Sequence, residues 1–332
     1  MEIVHTPVLL EETLRYLAPR TEGELMVDAT AGEGGHSEAF LRRFPGLRIA
    51  AVDADGEIQE RAKKRLAPFG GRVRFFTRWA GEFFEDYPGD LEKPDTILFD
   101  LGVSLYHYEA SGRGFSFLRD EYLDMRIDTT RGKTAADLIA ALSEKDLADI
   151  FYHNAGERYS RRIARAIHAA KKRSPVVSAA ALANIVAAAV PASYRRLPLH
   201  PATRTFQALR MAVNHEGETL PALLESALER LKTGGRLGVI SFHSGEDRRV
   251  KHFLRERSRA GTAAIMPDRP AYEGPRKTPI GRNEGFLNPG YSVNILTRKP
   301  LAAGREERRT NPPSRSAKFR AAEKTLDTGV VS

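Results

Sequence analysis

The stretch VDATAGEGGHSEAF (27–40) passes from apolar residues through a glycine cluster into a helix-like segment. It closes a short apolar run, LMVDA (25–29), that has the composition of a buried strand. Glycines let a backbone approach a ligand closely, and a helix N-terminus behind them offers open amides. Further apolar runs follow at RIAAVD (48–53), VRFF (73–76) and TILFDL (96–101), with helical patterns between them, notably Gly56 to Leu66. Strand–helix–strand alternation predicts an α/β fold with a Rossmann-like, doubly wound parallel sheet. RLGVISFH (236–243) reads as another buried strand, after a helix that stops at Lys232-Thr233-Gly234-Gly235. YSVNILTRK (291–299) reads as a final edge strand.

A glycine turn after the first strand of such a sheet is a ligand site by geometry. Asp53 lies 21 residues after Gly32, close to the spacing of an acid that binds ribose hydroxyls. The dinucleotide fingerprint G-x-G-x-x-G fits poorly, because Ser37 takes the place of its third glycine. Asp28 and Glu33 also flank the turn. Carboxylates there would repel a pyrophosphate, whereas S-adenosylmethionine (SAM) carries an ammonium and a sulfonium and no phosphate. The turn therefore favours SAM over NAD; a structural turn with incidental glycines is the bland alternative.

The totals narrow the class. The 332 residues suffice for about two domains. There is no cysteine, which excludes disulfides, cysteine-based metal sites and cysteine nucleophiles. No His or acid spacing resembles a metal-ligand set, and no run approaches the ~18 apolar residues of a membrane span. The first residues, MEIVHTPVLLEETL, carry acids where a signal peptide carries basic groups, so a cytoplasmic location is expected. The net charge of +9 is concentrated. Residues 298–324 hold nine Lys/Arg against three Glu, and residues 154–173 hold seven against one. Such patches suit a polyanionic partner.

Residues 108–199 are rich in alanine and show no convincing strand, so they read as a helical insertion. The expected domains are 1–107 with 200–300 as one discontinuous unit, 108–199 as the insert, and 301–332 as a basic tail ordered only when bound. Within the insert, a helix from about Gly156 to Arg173 is amphipathic. Arg158, Arg161, Arg162, Arg165, His168 and Lys172 fall on one side, and Ile163, Ala166, Ile167 and Ala170 on the other. The basic side suits phosphate contact; a solvated surface face is the alternative. RGFSF (113–117) sets Phe115 and Phe117 beside Arg113, a candidate stacking loop for an extruded base. Core packing is the competing reading of the two rings.

The blocks DATAGEGGHS, AVDAD, FDLGVS, RGFSF, LDMRID, HPATRTFQALRMAVN, GGRLGVISFHSGEDRRVK and NPPSRSAKFRAAE occur in this order. Together they resemble the bacterial 16S rRNA (cytosine-N4)-methyltransferase family over nearly the whole chain. The resemblance implies a class I SAM-dependent methyltransferase with an inserted all-helical domain. It implies methyl transfer from SAM to N4 of one cytidine in the decoding region of small-subunit rRNA. It also implies SAM contacts at Gly34, Gly35, His36, Asp53, Trp79, Asp100 and His107. Trp79 stands where phenylalanine is common in the family, His107 where glutamine is, and Gly245 where leucine is. The partners are small-subunit rRNA or the assembled small ribosomal subunit, with no membrane; a homodimer is left open.

Methylation at N4 needs no covalent intermediate, unlike methylation at C5 of cytosine, where a cysteine attacks the ring. A chain without cysteine fits the N4 route. Asp100, at the end of the fourth strand, is the catalytic candidate as acceptor for N4–H. It has two competing roles, a contact with SAM and a cap on the following turn. His243 reads equally as a ligand-facing or a structural histidine, and Asp124 with Arg126 as an internal ion pair. Two other functions share these features: a SAM enzyme acting on a non-RNA substrate, and a non-catalytic RNA-binding protein on the same fold.

Overall fold

The structure, a computed structural model, describes residues 6–216, 219–263 and 291–326. They divide into two compact units. Of these residues the first comprises 6–52, 63–101, 221–263 and 291–326, and the second 53–62, 102–216 and 219–220.

The first unit is built on an eight-stranded sheet. Its strands are β1 (Leu25–Asp28), β2 (Arg48–Asp53), β3 (Val73–Thr77), β4 (Thr96–Asp100), β5 (Arg236–Ser241), β6 (Tyr291–Ile295), β7 (Leu301–Ala302) and β8 (Lys318–Leu326). The order is β3-β2-β1-β4-β5-β8-β6, with β7 pairing beside β8. β2, β1, β4 and β5 run parallel; β8 is antiparallel to β5 and to β6. β1, β4 and β5 are buried almost without interruption, as expected of parallel strands covered on both faces. Met26, Ile49, Leu98, Ile240 and Phe319 join one core with Phe40 and Leu41 of the helix Gly35–Arg43. Register places Asp28 opposite Ala51 and Asp100 opposite Ile240, so the ends of β1, β2 and β4 share one edge of the sheet.

All six expected strands are present, and β6 is at the edge as read. It is not the last. The segment read as a basic tail supplies β8, an inner strand. Its charges are used internally. Arg320 is buried and its Nε donates to Asp247 at 2.7 Å. Lys324 Nζ donates to the carbonyls of Leu228 and Leu231 at the end of the helix Leu220–Arg230, at 2.5 and 2.8 Å, and lies 4.6 Å from the Tyr291 ring centre. Burial holds that ammonium down at about 8. Residues 327–332 of the expected tail lie outside the described residues.

The second unit is helical, as expected of an insert, but wider than 108–199. The helix Thr203–Val213 belongs to it, because Phe206, Ala208, Leu209 and Val213 fill the same core as Leu147, Phe151, Ile163 and Ile167. Asn214 fastens this end: its Oδ1 accepts Ile127 N–H at 2.8 Å and its Nδ2 donates to Met125 O at 2.7 Å. No helix among the described residues is long and apolar enough to cross a membrane.

Candidate active site

In the first unit the backbone leaves β1 and turns at Gly32 and Gly34, at φ 53° and 79°. Gly34 is the residue before the helix Gly35–Arg43, and its left-handed conformation favours glycine. Its N–H donates to Ala31 O at 2.8 Å, and Ala31 N–H donates to Val52 O at 2.9 Å, which pins the turn to β2. A Cβ on Gly35 would meet Pro7 Cγ at 2.9 Å, so the next turn of chain also has room only for glycine. His36 is buried beneath this turn, its Nδ1 3.5 Å from Thr13 Oγ1 and its Nε2 3.5 Å from Asp100 Oδ2. The Thr13 hydroxyl donates to Leu10 O at 2.8 Å, which leaves its lone pairs to face His36. Asp100 is fixed from behind, its N–H donating to Thr30 Oγ1 at 2.6 Å, and its side chain is about a quarter exposed.

Asp28 plays a different part from the one its position suggests. It is fully buried and accepts the Ser37 hydroxyl at 2.7 Å. Burial pushes its carboxyl up; the Ser37 hydrogen bond and His36 partly offset this, and the charge of Asp100 adds to it. Asp28 is therefore driven toward its neutral form. The repulsion expected against a phosphate falls to Glu33 and Asp100, which are partly exposed. Ser37, read as a defect in the dinucleotide fingerprint, is the partner that makes the buried Asp28 tolerable. Trp79 follows β3, partly exposed, and its carbonyl accepts Phe83 N–H at 2.9 Å to start the helix Ala80–Glu85.

In the second unit Asp53, at the end of β2, accepts Asp55 N–H on its carboxylate at 2.9 Å. Asp55 in turn accepts Glu57 N–H at 2.9 Å, which starts the helix Gly56–Leu66. Asp55 is buried, and its Oδ2 lies 2.7 Å from Arg113 Nη1 and 3.0 Å from His107 Nε2. Burial alone would raise this carboxyl, but the hydrogen bonds from His107 and Arg113 and the charge of Arg113 hold it down at about 2. Arg113 also donates to Glu57 at 2.6 Å and to the Ile127 carbonyl at 3.1 Å. The loop that carries Asp53 is thus tied to the chain after β4 through the carboxylates of Asp55 and Glu57.

A sequence profile of the MraW methylase family matches residues 2–325. The chain belongs to the MraW methylase family. It is 48% identical to the ribosomal RNA small subunit methyltransferase H of Treponema denticola, over 98% of each chain. It is 44% identical to the protein of the same name from Syntrophobacter fumaroxidans, over 96% of each chain. Among solved structures, an rRNA methylase from Streptococcus thermophilus aligns with 96% of this chain and 96% of its own, at 11% identity and a TM-score of 0.40.

Against this MraW methylase assignment, the side chains expected to touch RNA divide. Arg161, Arg162 and Arg165 are exposed on the helix Ser160–Lys171, opposite buried Ile163, Ala164 and Ile167. The helix starts at Ser160 and not at Gly156, which ends the preceding helix Glu144–Ala155 at φ 63°. Arg158 consequently lies in the connection, exposed, with its guanidinium 4.8 Å from the Tyr194 ring centre and 5.1 Å from that of Tyr159. Arg113 and Phe115 do not present themselves to RNA. Arg113 is buried on Asp55, and Phe115 is buried in the insert core, 5.0 Å from the His107 ring. Phe117 is half-buried against the same core, with one face covered by His200. His107, expected at SAM, is buried with Nε2 on Asp55; its Nδ1 is buried as well and has no hydrogen-bond partner among the described residues.

Asp124 and Arg126 form the expected ion pair, at 2.7 and 2.8 Å. His243 is tied to its own chain, with Nδ1 accepting Glu246 N–H at 3.3 Å and Nε2 2.9 Å from Glu246 Oε1. Two residues of this family member went unread: Asp55 and Glu157. The signal for Asp55 is the doubled acid of AVDAD, a second carboxylate two residues after Asp53. Glu157, fully buried, accepts Tyr194 OH at 2.8 Å and Tyr159 N–H at 2.8 Å, and so sets the two rings beside Arg158. It is the single acid in an otherwise basic stretch.

Proposed function

We propose that this chain transfers the methyl group of SAM to N4 of one cytidine in the decoding region of 16S rRNA. The observation that carries the reading is the Asp100–His36 pair under a glycine turn at the carboxyl edge of the sheet, in a chain of this methylase family. The turn fits SAM by its chemistry. The partly exposed carboxylates of Glu33 and Asp100 beside the turn suit a cationic sulfonium better than a pyrophosphate. SAM supplies an already activated methyl carbon.

Gly34, Gly35, His36, Asp53, Trp79, Asp100 and His107 are each read as SAM contacts. Asp53 binds the ribose hydroxyls, and Trp79 stacks on the adenine. Asp100 is read as the group that receives N4–H. Cytosine N4 is a poor nucleophile because its lone pair is delocalised, and an acceptor on N4–H localises that pair. Bound SAM would supply the methyl carbon to N4 as its carbon–sulfur bond breaks, and Asp100 would take one N4 proton and release it to solvent. Most of the acceleration comes from alignment and water exclusion. Arg158, Arg161, Arg162 and Arg165 are read as phosphate contacts, and rRNA of the small subunit, free or assembled, as the partner.

The test is nucleoside mass spectrometry of small ribosomal subunits lacking the modification, after incubation with the protein and methyl-labelled SAM. Labelled N4-methylcytidine is expected. Label at C5 of cytosine, or none in RNA despite SAM binding, overturns the assignment.

A further inference from the structure

We propose that His200 is a stacking platform for an unpaired nucleobase of the substrate RNA, other than the cytidine that is methylated; this rests on the RNA reading above. Its ring lies on the Phe117 ring at 4.4 Å between centres and 22° between planes. Phe117 is braced edge-on by buried Phe206 at 5.3 Å and 80°. Two rings thus back a third whose residue is exposed.

The ring is held in place in advance of any ligand. Ala202 N–H donates to His200 Nδ1 at 3.2 Å, and Thr203 N–H donates to the His200 carbonyl at 3.0 Å. Because Nδ1 accepts, Nε2 carries the proton of the neutral ring. A flat ring fixed in this way loses little freedom when a base stacks on it. An incidental surface histidine would have neither the two-ring backing nor the backbone tie.

The surroundings select the occupant. Residues 191–204, PASYRRLPLHPATR, contain three arginines and no acid. Arg195 and Arg196 are exposed, as are Leu197 and Leu199, at 47% and 52%. Exposed aliphatic and aromatic surface among arginines with no acid in the same segment matches a single strand, whose bases stack while its phosphates pair with cations. An acidic protein segment would satisfy the arginines and leave the flat ring unused. The loop RGFSF therefore takes part in stacking as a support: Phe117 carries His200, and His200 meets the base.

The experiment uses the full-length protein and two fluorescent strands of equal length, an oligoadenylate and an abasic ribose-phosphate oligomer. His200→Ala is expected to weaken oligoadenylate binding by about 5- to 100-fold, with the salt slope of wild type retained. On the abasic strand it is expected to have no effect. His200→Phe is expected to bind oligoadenylate within about twofold of wild type. Equal binding by His200→Ala and wild type overturns the proposal. So does equal weakening on both strands or a reduced salt slope, either of which makes His200 a phosphate contact. A His200→Phe variant as weak as His200→Ala would also overturn it, replacing stacking with hydrogen bonding. If wild type binds neither strand nor small-subunit rRNA, the RNA reading itself fails.

Discussion

Asp55 and Arg113 meet at two points, Nη1 to Oδ2 at 2.7 Å and Nη2 to Oδ1 at 3.3 Å, and both side chains are buried. Removing one partner leaves a buried charge without its counterpart. Asp55→Ala should cost about 3 kcal/mol of stability in urea unfolding. The double variant Asp55→Leu/Arg113→Met should cost less than the two single changes added together. Full additivity would show that the pair is not coupled.

The pH dependence of that pair has a definite sign. The carboxyl of Asp55 is held at about 2 in the folded chain, below its ordinary value of about 3.9 in the unfolded one. Its contribution is therefore fully present above about pH 4 and is lost as pH falls through about 2. The difference in melting temperature between wild type and Asp55→Asn should be constant from about pH 7 to 5 and should shrink below about pH 4. A difference that grows on acidification would contradict the assignment.

Asp28 titrates in the opposite sense. Burial raises its carboxyl, so the folded chain favours the protonated form and loses stability as pH rises above the unfolded value. Asn keeps an acceptor for the Ser37 hydroxyl without a charge. Asp28→Asn should melt roughly 2 °C above wild type at neutral pH and converge with it in acid. A lower melting temperature for Asp28→Asn at pH 8 would mean that the charged carboxylate is stabilised in place.

Loss of the Asp53 carboxylate should reach SAM and not RNA. Asp53→Ala should weaken SAM binding by roughly 10- to 100-fold in calorimetry, the value of one or two charge-assisted hydrogen bonds. RNA affinity should stay at the wild-type level. An equal loss of both would place Asp53 in the frame of the fold and outside the cofactor site.

The exposed arginines of the helix Ser160–Lys171 give the reverse pattern. Arg161→Ala with Arg165→Ala should lower the slope of log affinity against log salt by roughly 1.5 and leave SAM affinity unchanged. An unchanged slope would make that face a solvated surface. Arg165 also faces Glu144 at 3.4 Å, but both are well exposed, so this pair adds little to stability.

The sheet was legible where burial is continuous. The apolar runs of β1, β2, β4 and β5 are covered on both faces, and composition alone betrays such strands. β8 was hidden because its sequence, KFRAAEKTL, reads as polar. Its cations are satisfied by Asp247 and by helix-end carbonyls, which are distant in sequence and invisible to periodicity. The basic helix face was legible for the opposite reason: the contrast between Arg161, Arg162, Arg165 and Ile163, Ile167 lies within a few turns of one helix. Phe115 and Phe117 were ambiguous because an aromatic ring suits a core and a stacking surface equally. Only the long-range contacts with His107, His200 and Phe206 separate the two rings.

The position of β8 between β5 and β6 has a consequence for biosynthesis. While the chain is still being made, β5 and β6 have no neighbour between them, and each has an open hydrogen-bonding edge. Translation must pass Leu326, and β8 must clear the exit tunnel, before that gap can close. A chain halted by a premature stop codon anywhere before β8 would keep both edges bare, a form prone to aggregation and proteolysis. Closure of the sheet is thereby deferred until β8 has been made, and chains terminated before it are expected to be cleared.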